Sequence, residues 1–175
     1  VKTMGLHSLS SCVVFADPLR LENGEGRKLD LGLVGKVIDI NAELLITLCN
    51  SGVIPVIAPV ARAKTGGKLN VNADSVAGHV AAAVRAEKLV VLSDTHGIRK
   101  DVDDPNSWIS SVNEKEIEQM IADKIISSGM MPKVESCITA LNGGVGKAHI
   151  IDGRIPHSLL LEIYTDKGIG TQIIK

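Results

Sequence analysis

This chain of 175 residues has few aromatic side chains and no large excess of positive or negative charge. Phe15, Trp108 and Tyr164 are its only aromatic residues. Nineteen Lys and Arg side chains stand against twenty Asp and Glu, which leaves a formal net charge of -1. Nucleic-acid binding requires a basic surface, and single strands also require aromatic platforms for base stacking. The composition therefore argues against a nucleic-acid partner.

Cysteine pairs and long apolar runs are lacking too. Cys12, Cys49 and Cys137 lie far apart, with no CxxC pair and no histidine at zinc-finger spacing. We expect reduced, buried thiols in a cytoplasmic protein without a metal site. The longest apolar runs, such as residues 53–60, contain proline and are far shorter than the roughly 20 residues of a membrane helix. The sequence thus predicts no membrane span, and we see no signal peptide at the amino end.

The common glycine-rich nucleotide signatures are also missing. Neither GxxxxGK[ST] nor GxGxxG occurs in the chain. The run NGGVGKAH at residues 142–149 carries several glycines, but it lies between a predicted helix and a predicted strand, which is the reverse of the usual order. A turn at the carboxyl end of a helix is the better interpretation.

What the sequence does contain is an alternation of strands and helices. Segments 11–16 and 34–40 are strand-like, and the polar stretch between them indicates a hairpin or flap over residues 1–40. Asn41 is the expected cap of a helix that runs through Cys49, and residues 53–60 are the expected buried strand that follows.

The rest of the chain continues this alternation. Between Ala73 and Val84, apolar residues recur at i, i+3, i+4, i+7, i+8 and i+11, which predicts a helix. The other predicted elements are a strand at 88–94, helices at 114–123 and 132–142, and a strand at 147–151. A hydrophilic excursion at 96–113 is expected on the surface. We predict one α/β domain with right-handed crossovers, whose core is residues 41–175.

Ligands of open parallel sheets bind beyond the carboxyl ends of the strands, so polar residues at those positions are the candidates. Asn70, Asn72 and Asp74 form the first cluster, where alternate residues of an extended segment share one side. Asn72 or Asp74 could simply cap the next helix. Three such side chains in five residues exceed what capping needs, which favours a helix start that receives an anion.

Ser93 and Asp94 form the second cluster, directly after an apolar strand and before Gly97. An Asx-turn explains an isolated Ser-Asp pair, whereas the position at the end of a strand favours a nucleotide contact. Both interpretations remain open at this point.

The third cluster is SGMMPK at residues 128–133. Pro132 suits the first turn of a helix, so Lys133 is a cation at the positive end of the helix dipole, at a cost of about 0.3 to 1 kcal/mol. A surface lysine tolerates that cost. If a polyphosphate binds there, the ammonium and the backbone N–H groups act on the same anion, and Gly129 lets the backbone approach it closely.

Taken together, these clusters resemble the carboxyl-terminal portion of N-acetylglutamate kinases, which belong to the amino-acid kinase family. The segments that carry the resemblance are GVIPVIAPV, NVNADSVAGHVAAAVRAEKLVVLSDTHGI, SGMMPKVESCITAL and HIIDGRIPHSLLLEIYTDKGIGTQI. The resemblance implies a three-layer α/β/α sandwich on a mainly parallel sheet. It also implies transfer of the γ-phosphoryl group of ATP, with Mg²⁺, to the γ-carboxylate of N-acetyl-L-glutamate in arginine biosynthesis.

The resemblance assigns roles to the clustered residues. Asn70 would bind the α-carboxylate of the substrate, Asp74 would organise the catalytic lysines, and Lys133 would stabilise the transferring phosphoryl group. The implied nucleotide contacts are Ser93, Asp94, Gly129 and Met130.

The carboxyl-terminal segment at 157–173 resembles that of arginine-inhibited, hexameric members. The resemblance implies that His157, Glu162 and the backbone near Gly168 hold arginine, and a carboxylate is a suitable partner for its cationic groups. An amphipathic helix, a glycine turn and an edge strand are the structural alternative.

Several features of the family have no counterpart in this sequence. Its amino-terminal domain, with a second catalytic lysine and the main subunit contacts, is missing, and GLHSLSSC stands where the family has a Gly-Ser-Gly-Asp type of turn. We expect a nucleotide-binding portion of a longer protein, poorly active alone and homo-oligomeric at full length. The alternatives are a carbamate, glutamate 5- or uridylate kinase, or a non-catalytic module that binds ATP or arginine or docks a nitrogen-signalling protein.

Overall fold

The computed structural model describes residues 1–7, 12–22, 28–29, 31–101, 103–104, 106–165 and 168–175. It divides the chain into two compact units, Val1–Val84 and Arg85–Lys175. The first unit contains, in chain order, β1 (Lys2–Leu6), β2 (Val14–Pro18), β3 (Leu21–Glu22), β4 (Lys28–Leu29), β5 (Gly35–Ile40), α1 (Ala42–Asn50), β6 (Val53–Ile57), β7 (Val60–Ala63), β8 (Lys68–Asn70) and α2 (Ala73–Ala83). The second contains β9 (Lys88–Ser93), β10 (Ser111–Asn113), α3 (Glu114–Ala122), α4 (Met131–Asn142), β11 (Lys147–Asp152), α5 (Ser158–Tyr164) and β12 (Thr171–Ile174).

The first unit is built on a mixed sheet in the order β5-β2-β7-β8. β2 runs antiparallel to β5 and parallel to β7, and β7 runs antiparallel to β8. β1 and β6 form a separate parallel pair, and β3 and β4 a short antiparallel one. Short connections such as the one between β7 and β8 allow only antiparallel neighbours, because a parallel crossover needs a dozen residues or more.

Both helices of the first unit begin where the sequence predicts. Asn41 accepts a hydrogen bond from the Leu44 N–H at 3.1 Å, and Asn72 accepts one from the Ser75 N–H at 2.9 Å. These caps satisfy donors that the first turn of a helix leaves without partners. The apolar core of the unit comprises Leu6, Val13, Val14, Ala16, Val37, Ile40, Leu45, Ala61, Ala63, Leu69, Val71 and Val76.

The second unit is built on the sheet β10-β12-β11-β9. β9 and β11 are parallel over six residue pairs, from Lys88↔Lys147 to Ser93↔Asp152. β12 runs antiparallel to β11 and parallel to β10. Its largest fully buried apolar side chains are Ile117, Val134, Cys137, Leu141, Ile150, Ile151 and Ile173. At roughly 1.5 to 3 kcal/mol for each buried side chain of this size, they dominate the stability of the unit.

The predicted α/β class is confirmed, with parallel and antiparallel strand pairs both present among the described residues. One element departs from expectation. The strand predicted at 53–60 divides into β6 and β7, and β6 is only partly buried, since Ile54 and Val56 are 53% and 57% exposed. Among the described residues β6 pairs with β1 alone, and every second side chain along β6 is exposed, so one face of the strand is open to solvent.

The cysteines differ in their environment. Cys137 is buried as expected, Cys12 is half-buried, and Cys49 is exposed near the end of α1. The prediction of three buried thiols is therefore wrong for Cys49, which lies on the outer side of an amphipathic helix. Within the described residues, no helix combines the length and the apolar character that crossing a membrane requires.

Candidate functional site

The first predicted cluster lies at the junction of β8 and α2. Asn70 ends β8 with an exposed side chain, Asn72 caps α2, and Asp74 is the acidic residue in the first turn of that helix. The capping alternative thus holds for Asn72. Asp74, half-buried, stands where a negative charge is favoured by the helix dipole. These residues belong to the first unit and Lys133 to the second, so the predicted meeting of Asp74 and Lys133 stays a prediction.

The start of α4 differs from that of α3 in the same unit. Asn113 and Glu116 close a reciprocal capping box on α3, with hydrogen bonds of 3.0 and 2.8 Å to each other's backbone N–H groups. At α4 the capping position is Met130, which provides no side-chain hydrogen bond, and no acidic residue lies in the first turn. Lys133 lies in that turn and is half-buried. This helix start carries a cation and no capping side chain, and its backbone N–H groups donate to the carbonyls of Ser127 and Met130.

A small cavity of about 80 Å³ lies beside this helix start. Its walls come from the loop after β9, from the segment before α4, and from Met130: Thr95, Gly97, Ile98, Arg99, Ile125, Ile126, Ser127 and Met130. The predicted residues Ser93 and Asp94 precede the first wall directly, and Gly129 precedes Met130. We call this cavity the carboxyl-edge pocket, because it adjoins the carboxyl end of β9.

Residues predicted from the sequence adjoin these two segments, but most of the residues that line the cavity were not predicted. The Ser93 hydroxyl contacts Asp94 Oδ1 and Thr95 Oγ1, each at 3.4 Å. Both contacts join side chains, so the Asx-turn interpretation stays a prediction. Four of the residues that follow, up to Arg99, line the cavity. The available signal was Gly97, a glycine four residues after the end of a buried strand.

Gly97 is needed where it stands. Its φ is +129°, and a Cβ placed there would lie 2.9 Å from the backbone nitrogen of Thr171 and closer still to its hydroxyl. That hydroxyl accepts a hydrogen bond from the Ile98 N–H at 2.8 Å and donates one to the Ile109 carbonyl at 2.6 Å. Thr171 is completely buried. The wall of the carboxyl-edge pocket is therefore held against β12 by a contact that excludes any larger residue.

A second pocket, of about 380 Å³, lies at the other end of the same strands. We call it the amino-edge pocket. It brings together two predicted effector residues, Glu162 and Gly168, with two lysines from the first residues of β9 and β11. The lining residues are Lys88, Ser110, Ser111, Lys147, His149, Glu162, Ile163, Thr165, Gly168, Gly170 and Gln172.

The histidine of this pocket is His149, which the sequence analysis did not single out. Its Nδ1 lies 2.5 Å from Glu162 Oε1, and both side chains are almost fully buried. Glu162 Oε2 also accepts a hydrogen bond of 2.8 Å from the Ile169 N–H. His157, the predicted residue, is exposed at the start of α5 with φ +60° and does not line the pocket. A histidine inside the otherwise apolar strand β11 was the signal for this position.

Helix α5 is oriented by this pair. It buries the polar residues Ser158 and Glu162 and exposes Leu159, Leu160 and Ile163. Residues four positions apart share one face of a helix, so the buried stripe is the polar one. The Glu162 carboxylate, paired with His149 and Ile169, accounts for a polar stripe that faces inward.

Opposing influences act on the ionisation of His149. Burial lowers its pKa below the ordinary value of 6.5, and the nearby Lys88 and Lys147 lower it further, whereas Glu162 raises it. The net direction is downward. The neutral imidazole is thus favoured in the folded chain. The positive charges of the two lysines favour binding of a carboxylate in the amino-edge pocket.

Comparison with known proteins places this geometry in a family. Residues 1–152 match the model of the amino acid kinase family, and the chain belongs to that family. The acetylglutamate kinase of Symbiobacterium thermophilum is 48% identical over 176 residues, which cover 100% of this chain and 60% of that protein. That of Methanothrix thermoacetophila is 48% identical over 172 residues, covering 98% and 60%. The chain thus spans about 60% of the length of these curated relatives.

Solved structures agree on the fold. An N-acetylglutamate synthase from Neisseria gonorrhoeae, solved with coenzyme A and N-acetyl-glutamate, superposes with a TM-score of 0.85 at 25% identity, covering 100% of this chain and 38% of that one. A carbamate kinase from Giardia superposes with a TM-score of 0.70 at 17% identity, covering 99% and 64%. The second likeness shows the fold alone.

Gly97→Ala is expected to lower the free energy of unfolding by at least about 1 to 3 kcal/mol, because the new methyl group meets Thr171 and the backbone is left-handed. Gly129→Ala is the matched control, since open space surrounds that position and its backbone is not left-handed. Urea unfolding of both variants measures the difference. Equal stabilities would contradict the close packing of Gly97.

His149→Gln is expected to flatten the dependence of stability on pH. Because the folded-state pKa is below 6.5, the unfolded chain binds the proton more readily, so wild-type stability falls as pH drops below about 6.5. The Gln variant lacks this loss, whereas His157→Asn, at an exposed left-handed position that Asn tolerates, keeps it. Thermal midpoints from pH 8 to pH 5 provide the measurement. If the stability of the His149→Gln variant depended on pH as strongly as that of the wild type, the lowered pKa of His149 would be contradicted.

Proposed function

We propose that this chain is the nucleotide-binding portion of an enzyme that transfers the γ-phosphoryl group of ATP to the γ-carboxylate of N-acetyl-L-glutamate, in arginine biosynthesis. The observation that carries the proposal is the carboxyl-edge pocket beside the start of α4, in a chain 48% identical to acetylglutamate kinases. Its walls include one predicted nucleotide contact, Met130, and the other three, Ser93, Asp94 and Gly129, directly precede wall residues.

The start of α4 suits a phosphoryl group. Met130 lines the pocket, and Lys133 lies three residues further along, on the adjoining face of the same helix. The Lys133 ammonium and the positive end of the helix dipole then act on one set of phosphate oxygens, and the cost of a cation at a helix start becomes an attraction. Phosphoryl transfer depends mostly on positioning and on neutralising charge, and both come from these groups without a covalent nucleophile.

The remaining roles follow the family resemblance. Ser93 and Asp94 would contact the nucleotide from the end of β9, and Gly129 would allow the backbone to approach it. Asn70 and Asp74 would serve the substrate and the catalytic lysine from the first unit. Mg²⁺ would arrive with the nucleotide phosphates, since no group of three His, Cys, Asp or Glu side chains among the described residues is arranged to hold a metal.

We further propose that the amino-edge pocket binds L-arginine as a feedback inhibitor. Arginine carries a carboxylate and two cationic groups. In the pocket, Lys88 and Lys147 would attract the carboxylate, and Glu162 would bind a cationic group. The backbone at Gly168 adjoins Glu162, where a Cβ would lie 3.0 Å from its Oε2. His149 replaces His157 in this proposal. Formation of a homo-oligomer and docking of a nitrogen-signalling protein stay predictions.

Lys133→Ala is expected to lower phosphoryl transfer to acetylglutamate by about 100- to 1000-fold, as loss of one transition-state donor does. The fold should persist, because an unfavourable charge at a helix start is removed. Lys115→Ala is the matched control, since Lys115 is an exposed cation in the first turn of α3. The assay uses ATP-Mg with the chain alone and with a chimera that adds the unmatched remainder of the Symbiobacterium relative.

The chimera distinguishes the outcomes of this assay. We expect the chain alone to bind ATP with little turnover and the chimera to turn over. A Lys133→Ala chimera with a near-normal rate would show that the lysine is misassigned. Binding of ATP without any transfer in the wild-type chimera would favour the non-catalytic module instead.

Glu162→Gln is expected to weaken arginine binding at least about tenfold, through the loss of a charged hydrogen-bond partner worth about 1.5 to 3 kcal/mol. Calorimetry with L-arginine measures the change, and Glu118→Gln on the exposed face of α3 is the control. L-citrulline, which has the same shape without the side-chain charge, should bind more weakly than arginine to the wild type. Equal binding of the two ligands would refute recognition by Glu162.

A further inference from the structure

A buried carboxylate stands at the carboxyl end of β11, outside the residues used above. Asp152 is 1% exposed, and its carboxylate accepts three hydrogen bonds from Arg154: from the backbone N–H at 2.9 Å, from Nε at 2.9 Å and from Nη2 at 2.8 Å. Its Oδ2 also lies 3.6 Å from Nδ1 of His96. The carboxylate thus holds a planar guanidinium with both oxygens and contacts a residue of the loop after β9.

The turn at Asp152 is joined to the end of β9. Asp152 is the register partner of Ser93, and the Gly153 N–H donates a hydrogen bond of 2.8 Å to the Ser93 carbonyl. A Cβ on Gly153 would lie 3.2 Å from the Leu92 Cβ, so the turn packs closely on the strand. The loop that forms one wall of the carboxyl-edge pocket leaves β9 at this point.

The charges around Asp152 alternate in sign. Hydrogen bonds from Arg154 lower the pKa of Asp152 to about 2, with a smaller contribution from His96. Asp152 in turn raises the pKa of Arg154, and so does Asp94. Asp152 therefore contacts both Arg154 and His96, and His96 belongs to the loop after β9. Both members of the Asp152–Arg154 pair remain charged throughout the ordinary pH range.

The stability of the turn does not require this whole network. The backbone N–H of Arg154 already closes the turn on Asp152. The Arg154 side chain is 64% exposed, so solvent screens the attraction of its guanidinium to Asp152. What the two-pronged contact does provide is a fixed position for the buried carboxylate beside His96 of the loop after β9.

We propose that Asp152 is a positioning residue for nucleotide binding. Held by Arg154, Asp152 contacts His96 and so holds the turn between Thr95 and Gly97, both of which line the carboxyl-edge pocket. The proposal rests on the proposed function of that pocket. It extends the nucleotide site to a buried group that does not itself touch the ligand.

The test is calorimetry of ATP-Mg and of L-arginine on the 175-residue chain. Asp152→Asn and Arg154→Lys should each weaken ATP binding about 10- to 100-fold, as loss of a supporting hydrogen bond behind a ligand site does. Lys cannot reproduce the two-pronged contact although it keeps the charge. The double variant should be no weaker than either single variant, because both act through one network.

Two controls separate positioning from general loosening. Arginine affinity at the amino-edge pocket of the same unit should stay within about twofold, since only the loop after β9 is disturbed. Asp123→Asn removes an exposed carboxylate that accepts hydrogen bonds from Gln119 on α3, and it should leave ATP affinity unchanged.

Each remaining outcome has a defined meaning. If the wild type binds ATP and both variants bind it within twofold, the inference is overturned while the proposed function stands. A parallel loss of ATP and arginine affinity would overturn it in favour of a structural role. If Asp152→Asn does not fold, Arg154→Lys decides alone, because its side chain is largely exposed. Absence of ATP binding by the wild type would overturn the proposed function, and the inference with it.

Discussion

The parallel pairing of β9 with β11 is the constraint on which both pockets of the second unit depend. Six residue pairs hold the two strands in one direction, so their carboxyl ends share one edge and their amino ends the other. At about 3.3 Å per residue, the two edges lie roughly 16 Å apart. One edge carries Ser93 and Asp152 beside the carboxyl-edge pocket, and the other carries Lys88 and Lys147 in the amino-edge pocket. A single strand pair thus separates two ligand environments of different charge.

Local electrostatics distinguish these environments. At the amino edge, lysines surround a buried histidine and glutamate, which suits a small molecule carrying charges of both signs. At the carboxyl edge, Lys133 and the positive end of the α4 dipole favour an anion. The start of α3 in the same unit is closed by Asn113 and Glu116, whereas that of α4 has neither a capping side chain nor an acidic residue in its first turn.

Local signals in the sequence predicted much of the fold. The caps Asn41 and Asn72 and the helical spacing from Ala73 onward depend on neighbours within a few residues, and the structure follows them. Sites assembled from distant segments were predicted less completely. Thr171, which holds Gly97 in place, is 74 positions away along the chain, and sequence spacing carries no information about such a contact. Sequence spacing likewise did not reveal that His149 in β11 pairs with Glu162 in α5.

The sequence by itself determined the α/β class, most helix starts and the motifs that mark the family, because capping, periodicity and short motifs are local properties of a chain. Only the tertiary structure decided which residues meet. It placed His149 instead of His157 beside Glu162, and it joined Asp152 to the loop after β9. The reason is that strand register sets which side chains face one another, and register depends on packing between elements far apart in the chain.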